Sequence, residues 1–134
     1  MKIFSVCKRV LAVIIYAYCT HAVAEPAFVD PGEITGKWRA TEQHQEQGNI
    51  ETSFIINADN TFSGTMTINN APAWQYAGTW TLDGNEITWV YLESNIILLK
   101  EDEQDTDVIL SVTDDTLTYR SLRRGKESSL QRVR

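Results

Sequence analysis

The sequence predicts an all-β domain, namely a small closed antiparallel up-and-down β-barrel of eight or nine strands. In residues 61–68 and 74–82, every even position is apolar or glycine, and the odd positions are polar except for Ala77. Such strict alternation is typical of a half-buried antiparallel strand. A helix would spread the three aromatic residues of the second segment around its whole circumference, so helix is excluded there. Short turn signals between segments of this kind complete the argument for a barrel.

The first 24 residues are predicted to be a removable signal peptide. A basic head at residues 2–9 is followed by an apolar stretch at residues 10–19 and by small residues at 22–24. The apolar stretch is shorter than the ~20 residues of a membrane-spanning helix, although a retained anchor is an alternative. A lipoprotein acylated at Cys19 is a second alternative, but tyrosines stand three and one residues before it, where a lipobox has leucine and a small residue. We expect a mature protein that begins at Glu25 and is periplasmic or secreted from a bacterial cell.

Residues 25–33 contain two prolines and a glycine without an apolar period, and predict an extended lead-in. The barrel domain is expected to occupy residues 34–134. Its predicted strands lie near 35–42, 50–57, 61–68, 74–82, 86–92, 95–101, 107–112 and 116–123, with a short last one near 128–133.

Turn-forming residues separate these strands. Residues 58–60 and 83–85 indicate tight hairpins, 69–72 indicate a longer loop, and 113–115 and 124–126 close the later hairpins. Short turns pair each strand with its neighbour in sequence. An open sheet of this length would expose two edges, so closure into a barrel is favoured over the alternative, a two-sheet sandwich.

Composition excludes several classes of function. Removal of the signal would leave 9 basic and 18 acidic residues, a net charge of −9 rather than −6. This acidity argues against nucleic-acid binding. Both cysteines and one of the two histidines fall inside the signal, so the mature chain would have no thiol and only His44. Disulfides, thiolate zinc sites, cysteine nucleophiles and sites with two histidines are therefore excluded.

The polar clusters give weak evidence for catalysis or metal binding. His44 lies in a wholly polar stretch, residues 42–48, which is typical of an exposed hairpin tip, although Glu42 and Glu46 beside it suit a weak metal site. Residues 101–107 contain five carboxylates but lack the glycine of a calcium loop, so a solvated hairpin tip is favoured. We expect no catalytic residues, no metal and no cofactor.

The C-terminal segment is basic. It suits contact with anionic headgroups or an acidic partner, although protection of an edge strand by charge is the simpler interpretation. Its six basic residues are Arg120, Arg123, Arg124, Lys126, Arg132 and Arg134.

Several motifs resemble a known family. Gly36-Lys37-Trp38 is similar to the Gly-x-Trp opening of lipocalins, and residues 54–62, 78–85 and 115–119 resemble bacterial lipocalin-like domains. The resemblance implies a small antiparallel barrel that binds rather than catalyses. In the turn before the third strand, Asn60 stands where the family usually has glycine, and asparagine also tolerates the positive φ required there. Gly36 and Trp38 suit a backbone bend and a plug at the base of the barrel.

The predicted inward face is rich in aromatic residues. It comprises Trp38, Phe54, Phe62, Trp74, Tyr76, Trp80, Trp89, Tyr91 and Tyr119, with Met66, Ile68, Leu82, Ile87, Leu110 and Leu117. An eight-stranded barrel is only just wide enough for side chains to fill it, so we expect a largely filled interior. Room is expected only at the open end, where the candidate ligand-binding residues are Trp74, Tyr76, Trp89 and Tyr91.

These observations predict a non-enzymatic, exported lipocalin-like protein that binds a small apolar or amphipathic ligand. The alternative is a secreted or periplasmic protein-binding module, of the inhibitor or immunity type, that uses a filled barrel as a scaffold. A free interior volume of ~300 Å³ or more would favour the small ligand. We expect a monomer without nucleic-acid partners and without stable membrane insertion after signal cleavage.

Overall fold

The computed structural model describes residues 25–96, 100 and 103–134, so the predicted signal peptide lies outside the described residues. The chain forms one short helix followed by eight strands. These are α1 (Pro31–Ile34), β1 (Gly36–His44), β2 (Gly48–Ile56), β3 (Thr61–Ile68), β4 (Ala71–Asp83), β5 (Glu86–Ser94), β6 (Gln104–Val112), β7 (Thr116–Ser121) and β8 (Glu127–Val133).

Each strand pairs antiparallel with its neighbour in sequence, and β8 returns to β1 to close the barrel. Trp38 and Arg132 are register partners across this closing pair. Among the described strands, closure leaves no free sheet edge, which is the physical reason for preferring it to an open sheet. The predicted closed up-and-down barrel is therefore confirmed, with eight strands.

The helix α1 and the first residues of β1 close one end of the barrel. Asp30 caps α1 by accepting a hydrogen bond from the backbone N–H of Gly32 at 2.9 Å. The helix places Ile34 beside Trp38, and both side chains are 0% exposed. The indole N–H of Trp38 donates to the carbonyl of Ile34 at 2.8 Å. Trp38 thus plugs the base, as predicted.

The lead-in differs from its prediction at its end. Pro31–Glu33 belong to α1, so an extended conformation over all of residues 25–33 is wrong. Proline at the first helical position has no N–H to leave unpaired, which is why it starts a helix here. Before the helix, Val29 is 1% exposed and its N–H donates to the carbonyl of Gly84 at 3.0 Å, which ties the lead-in to the β4–β5 turn.

Gly36 makes room for Arg132 at the closed end. Its φ is +129°, and a Cβ there would lie 2.7 Å from Nη1 of Arg132. The guanidinium group covers the Trp38 ring and donates three hydrogen bonds to backbone carbonyls. The acceptors are Asp114 at 2.7 Å, Thr35 at 2.8 Å and Glu33 at 2.7 Å.

Two sequence predictions are changed by the structure and a third holds. The predicted strand at 95–101 is not found among the described residues: Asn95, Ile96 and Lys100 lie outside strands, and the rest of that segment lies outside the described residues. The predicted loop 69–72 is a two-residue turn, because Asn69 and Asn70 both adopt positive φ and β4 begins at residue 71. Asn60 has a φ of 67°, as predicted.

The acidic segment and one core residue are also placed differently. Residues 104–107 belong to β6, so a solvated hairpin tip is wrong for them. An irregularity between Ile109 and Ser111 shifts the register of β6 against β7. Ile109 is 1% exposed and faces the interior, whereas Leu110 lines a shallow outer cleft with Phe28 and Val29. The inward assignment of Leu110 is therefore wrong.

Candidate ligand cavity

The interior of the barrel contains a cavity of about 600 Å³. It lies above the plugged base and extends to the opposite end of the barrel, where Glu42, Ser121 and Lys126 line it. The prediction of a largely filled interior is wrong, because the aromatic side chains gather on one wall and leave the space before it free. Small-molecule sites typically measure roughly 300–1,000 Å³, so this volume suits a small ligand.

All four predicted ligand-binding residues line the cavity. Trp74 and Tyr76 have ring centroids 4.1 Å apart, and Tyr76 lies 5.9 Å from Tyr91. Trp89 contacts this group indirectly, since its ring meets Phe54 edge-on at 5.0 Å. Tyr76 and Trp89 are buried, whereas Trp74 and Tyr91 are half-buried. The result is a continuous aromatic wall that runs from the interior towards the mouth.

The neighbouring strands hold this wall in place. Gly64 is the register partner of Tyr76 across β3 and β4, and a Cβ at Gly64 would overlap the Tyr76 ring. Near the mouth, the indole N–H of Trp74 donates to the hydroxyl of Ser94 at 2.9 Å. Gly64 is a determinant that the sequence reasoning missed. The signal was the glycine at an inward position of a strand, where close approach of another group is the usual cause.

Two carboxylates line the cavity from β6. Asp105 and Asp107 alternate with outward residues, so both side chains reach the cavity. The indole N–H of Trp89 donates to Oδ2 of Asp107 at 2.8 Å. Burial raises the pKa of Asp107, and the Trp89 hydrogen bond partly opposes that shift. These two residues were missed as site residues because residues 101–107 were interpreted as one solvent-exposed tip.

The negative charge of Asp105 is balanced by Arg123, which lies at the mouth of the cavity. Nε of Arg123 lies 2.9 Å from Oδ1 of Asp105. That oxygen is buried and accepts no hydrogen bond among the described residues, so the contact is an ion pair whose N–H is not aimed at the oxygen. The pair joins β6 to the β7–β8 turn at the mouth.

Three buried or half-buried tyrosines supply neutral polar groups. Burial is the largest cause of a raised pKa at Tyr76, Tyr91 and Tyr119. Their hydroxyls therefore stay protonated across the physiological range and can both donate and accept hydrogen bonds. An apolar wall with a few oriented polar groups is the usual composition of a small-molecule site.

The C-terminal basic residues do not form one patch. Arg132 is at the closed end, Arg120 pairs with Glu25 at 3.2 Å, and Arg134 pairs with Asp115 at 2.7 Å. The other three, Arg123, Arg124 and Lys126, line the mouth of the cavity. Nζ of Lys126 lies 3.2 Å from Oε1 of Glu42, so the mouth carries charges of both signs.

The candidate metal ligands do not converge. Across residues 25–96, 100 and 103–134, no group of three His, Cys, Asp or Glu side chains is placed to hold a metal ion. Nδ1 of His44 accepts long contacts of 3.4 Å from the backbone N–H groups of Glu46 and Gln47, which caps the β1–β2 turn. Within the same described residues, no helix has the length and apolar character needed to cross a membrane.

Comparison with known proteins gives a family match. The sequence model of a family described as "Lipocalin-like domain" matches residues 34–119, which run from the end of α1 into β7. Among solved structures, the chain is similar to the Cpx pathway activator NlpE from Escherichia coli, with 16% identity and a TM-score of 0.49. That alignment covers 71% of this chain and 46% of NlpE, so the chain spans less than half of that protein. Comparison with curated proteins gave no significant match.

Proposed function

We propose that this chain, which belongs to the family of lipocalin-like domains, is a non-enzymatic binding protein for a small apolar or amphipathic ligand. The observation that carries the proposal is the cavity of about 600 Å³ with its aromatic wall. Among the described residues, the base is plugged and the cavity reaches the opposite end, which gives a ligand a route of entry through the mouth.

The distribution of polarity supports an apolar or amphipathic ligand. The deeper wall is formed by buried apolar and aromatic side chains such as Ile56, Ile87 and Trp89. Charged groups lie towards the mouth, where Lys126 and Glu42 are exposed. A ligand with an apolar body gains free energy from leaving water along the wall, roughly 25 cal/mol for each Å² buried.

The same volume favours a small ligand over the alternative of a protein-binding module. That alternative used a filled barrel as a rigid scaffold, and a cavity of about 600 Å³ removes its main support. The proposal of a non-enzymatic role is supported by the arrangement of polar groups. Asp107 is hydrogen-bonded to an indole and Asp105 is paired with a guanidinium group, and among the described residues neither carboxylate accepts a hydrogen bond from a hydroxyl that it could activate as a nucleophile.

We also propose that the protein works outside the cytoplasm. The support is the signal-like pattern of residues 1–24 in the sequence. N-terminal sequencing of the exported protein tests this, with Glu25 as the expected first residue. An acylated Cys19 at the N-terminus would show a lipoprotein instead.

Displacement of a fluorescent apolar probe tests the binding function. N-phenyl-1-naphthylamine is expected to gain fluorescence on adding the protein, with one probe per chain, and 1-octanol is expected to displace it. Tyr91→Ala should weaken probe binding by about tenfold, because it removes a large part of one wall. Leu92→Ala is the matched control, since Leu92 is the next residue of β5 and is 63% exposed outside the barrel. Absence of saturable binding, or equal losses in the two variants, would refute the proposal.

A further inference from the structure

We propose that the cavity selects ligands with a protonated amine on an apolar body, and that the ammonium group is bound by Asp107 beside the rings of Trp89 and Tyr119. This inference rests on the proposed function and adds the chemical class of the ligand. The evidence is the balance of charges around the cavity and the position of Asp107 on its wall.

The charged residues that line the cavity are largely paired with one another. Asp105 is paired with Arg123 at 2.9 Å, and Glu42 with Lys126 at 3.2 Å. Of the remaining charges, Arg124 and Glu127 are exposed at the mouth. Asp107 is the exception, because it is more deeply placed and no basic side chain of the described residues lies within ion-pair distance of it.

The hydrogen bonding of Asp107 leaves capacity for a ligand. Among the described residues, its side chain accepts one hydrogen bond, from the Trp89 indole at 2.8 Å. A carboxylate can accept several, so an ammonium group with three donors has acceptor sites available. A partly buried carboxylate with one neutral partner pays a desolvation cost that a bound cation would offset.

The ring of Tyr119 also suits a cation. Tyr119 lines the cavity with Asp107, and the face of a tyrosine ring attracts cations, whereas Trp89 meets the carboxylate with its N–H edge. The Asp107 charge raises the pKa of Tyr119, and it is one of the charges that raise the pKa of Tyr91, which places both hydroxyls within its field. The other charged groups that act on Asp107 are Asp105 and Arg124. Asp105 adds negative potential at the Asp107 carboxylate, and Arg124 opposes it.

An anionic headgroup is less suited to this cavity. The three basic residues at the mouth are its natural contacts, but Arg123 and Lys126 are already engaged by carboxylates. An anion moving deeper would meet Asp105 and Asp107. The expected net charge of −9 for the mature chain also attracts cations rather than anions during approach.

Isothermal titration with three octyl compounds of equal chain length tests the inference. The probes are n-octylamine, 1-octanol and octanoate at pH 7, where the alkylamine is protonated as a lysine side chain is. We expect octylamine to bind at least tenfold more tightly than 1-octanol, and octanoate to bind most weakly. Asp107→Asn should abolish the preference for octylamine over 1-octanol, since the amide is neutral while its oxygen can still accept from Trp89.

Asp83→Asn is the matched control, because Asp83 is exposed at the β4–β5 turn near the closed end and the substitution removes the same charge. It should leave the preference for octylamine unchanged. Equal loss in the two variants would show general attraction to an acidic surface and would overturn the inference. If 1-octanol binds as tightly as octylamine, or octanoate more tightly, the inference fails and the proposed function stands. If none of the three binds, both fail.

Discussion

The guanidinium carbon of Arg132 lies 4.2 Å from the ring centroid of Trp38, and the two residues are paired in register where β8 meets β1. The same guanidinium group donates to three backbone carbonyls, two of them in the segment that leads into β1. One side chain therefore joins the last strand, the first strand and the plug of the barrel. We expect this contact to make a large contribution to the stability of the closed end.

Replacing Arg132 tests that contribution. Arg132→Lys keeps the charge but loses the planar guanidinium group, which donates to three separate carbonyls. We therefore expect the free energy of unfolding to fall by about 2–3 kcal/mol. Arg134→Lys is the control, because its pair with Asp115 is exposed and should change stability by less than about 1 kcal/mol. Urea denaturation of both variants gives the comparison. Similar small effects would show that the Arg132 contacts contribute little.

Two tryptophans should differ in their contribution to stability. Trp38→Ala removes a fully buried ring at the base and should cost about 3–5 kcal/mol. Trp74→Ala should cost less, since Trp74 is half-buried beside the cavity and water can fill the vacated space. Urea melts measure both. Equal destabilisation, or a larger loss from Trp74→Ala, would contradict the assignment of Trp38 as the plug.

Gly64 should be intolerant of a methyl group. Gly64→Ala is expected to cost roughly 1–3 kcal/mol, because the new Cβ overlaps the Tyr76 ring and forces it to move. The displaced ring should also weaken binding of N-phenyl-1-naphthylamine. Gly32→Ala is the control, since a Cβ there meets only Asp30 at 3.4 Å. Thermal unfolding and probe titration measure both effects. If Gly64→Ala had the same stability and probe affinity as Gly32→Ala, this explanation would be refuted.

The raised pKa of Asp107 implies a pH dependence of stability with a definite sign. The folded state holds this proton more tightly than the unfolded state, so the contribution of Asp107 to stability is greatest at low pH and decreases as pH rises through the folded pKa. The Asp107→Asn variant has no titrating proton at this position, so its stability does not show that decrease. The stability of the variant relative to the wild type should therefore be greater at pH 7 than at pH 4. A difference that is independent of pH would contradict the raised pKa.

The local pattern was sufficient to predict the barrel. Alternation in residues 61–68 and 74–82 predicted β3 and most of β4, and the Asn60 and Gly84 turns were placed correctly. These features depend on neighbours in sequence, which is why the sequence reveals them. The pairing of Arg132 with Trp38 joins opposite ends of the domain, and no local pattern encodes it.

The interior was harder to predict, for three physical reasons. The irregularity after Ile109 reverses which residues face inward, and Asp105 and Asp107 tolerate partial burial through partners distant in sequence, Arg123 in the β7–β8 turn and Trp89 on β5. Counting aromatic side chains also predicts their volume but not their stacking on one wall. The four candidate residues Trp74, Tyr76, Trp89 and Tyr91 do line the cavity, while their contact with a ligand remains a prediction.

The indole N–H signals of the four tryptophans in a ¹H–¹⁵N spectrum, recorded during titration with 1-octanol, test the central proposal most directly. Trp74 and Trp89 line the cavity, whereas Trp38 and Trp80 lie in the packed core away from it. A ligand in the cavity should shift the first two signals in a saturable manner and leave the other two in place. Shifts of all four signals, or of none, would contradict binding inside the barrel.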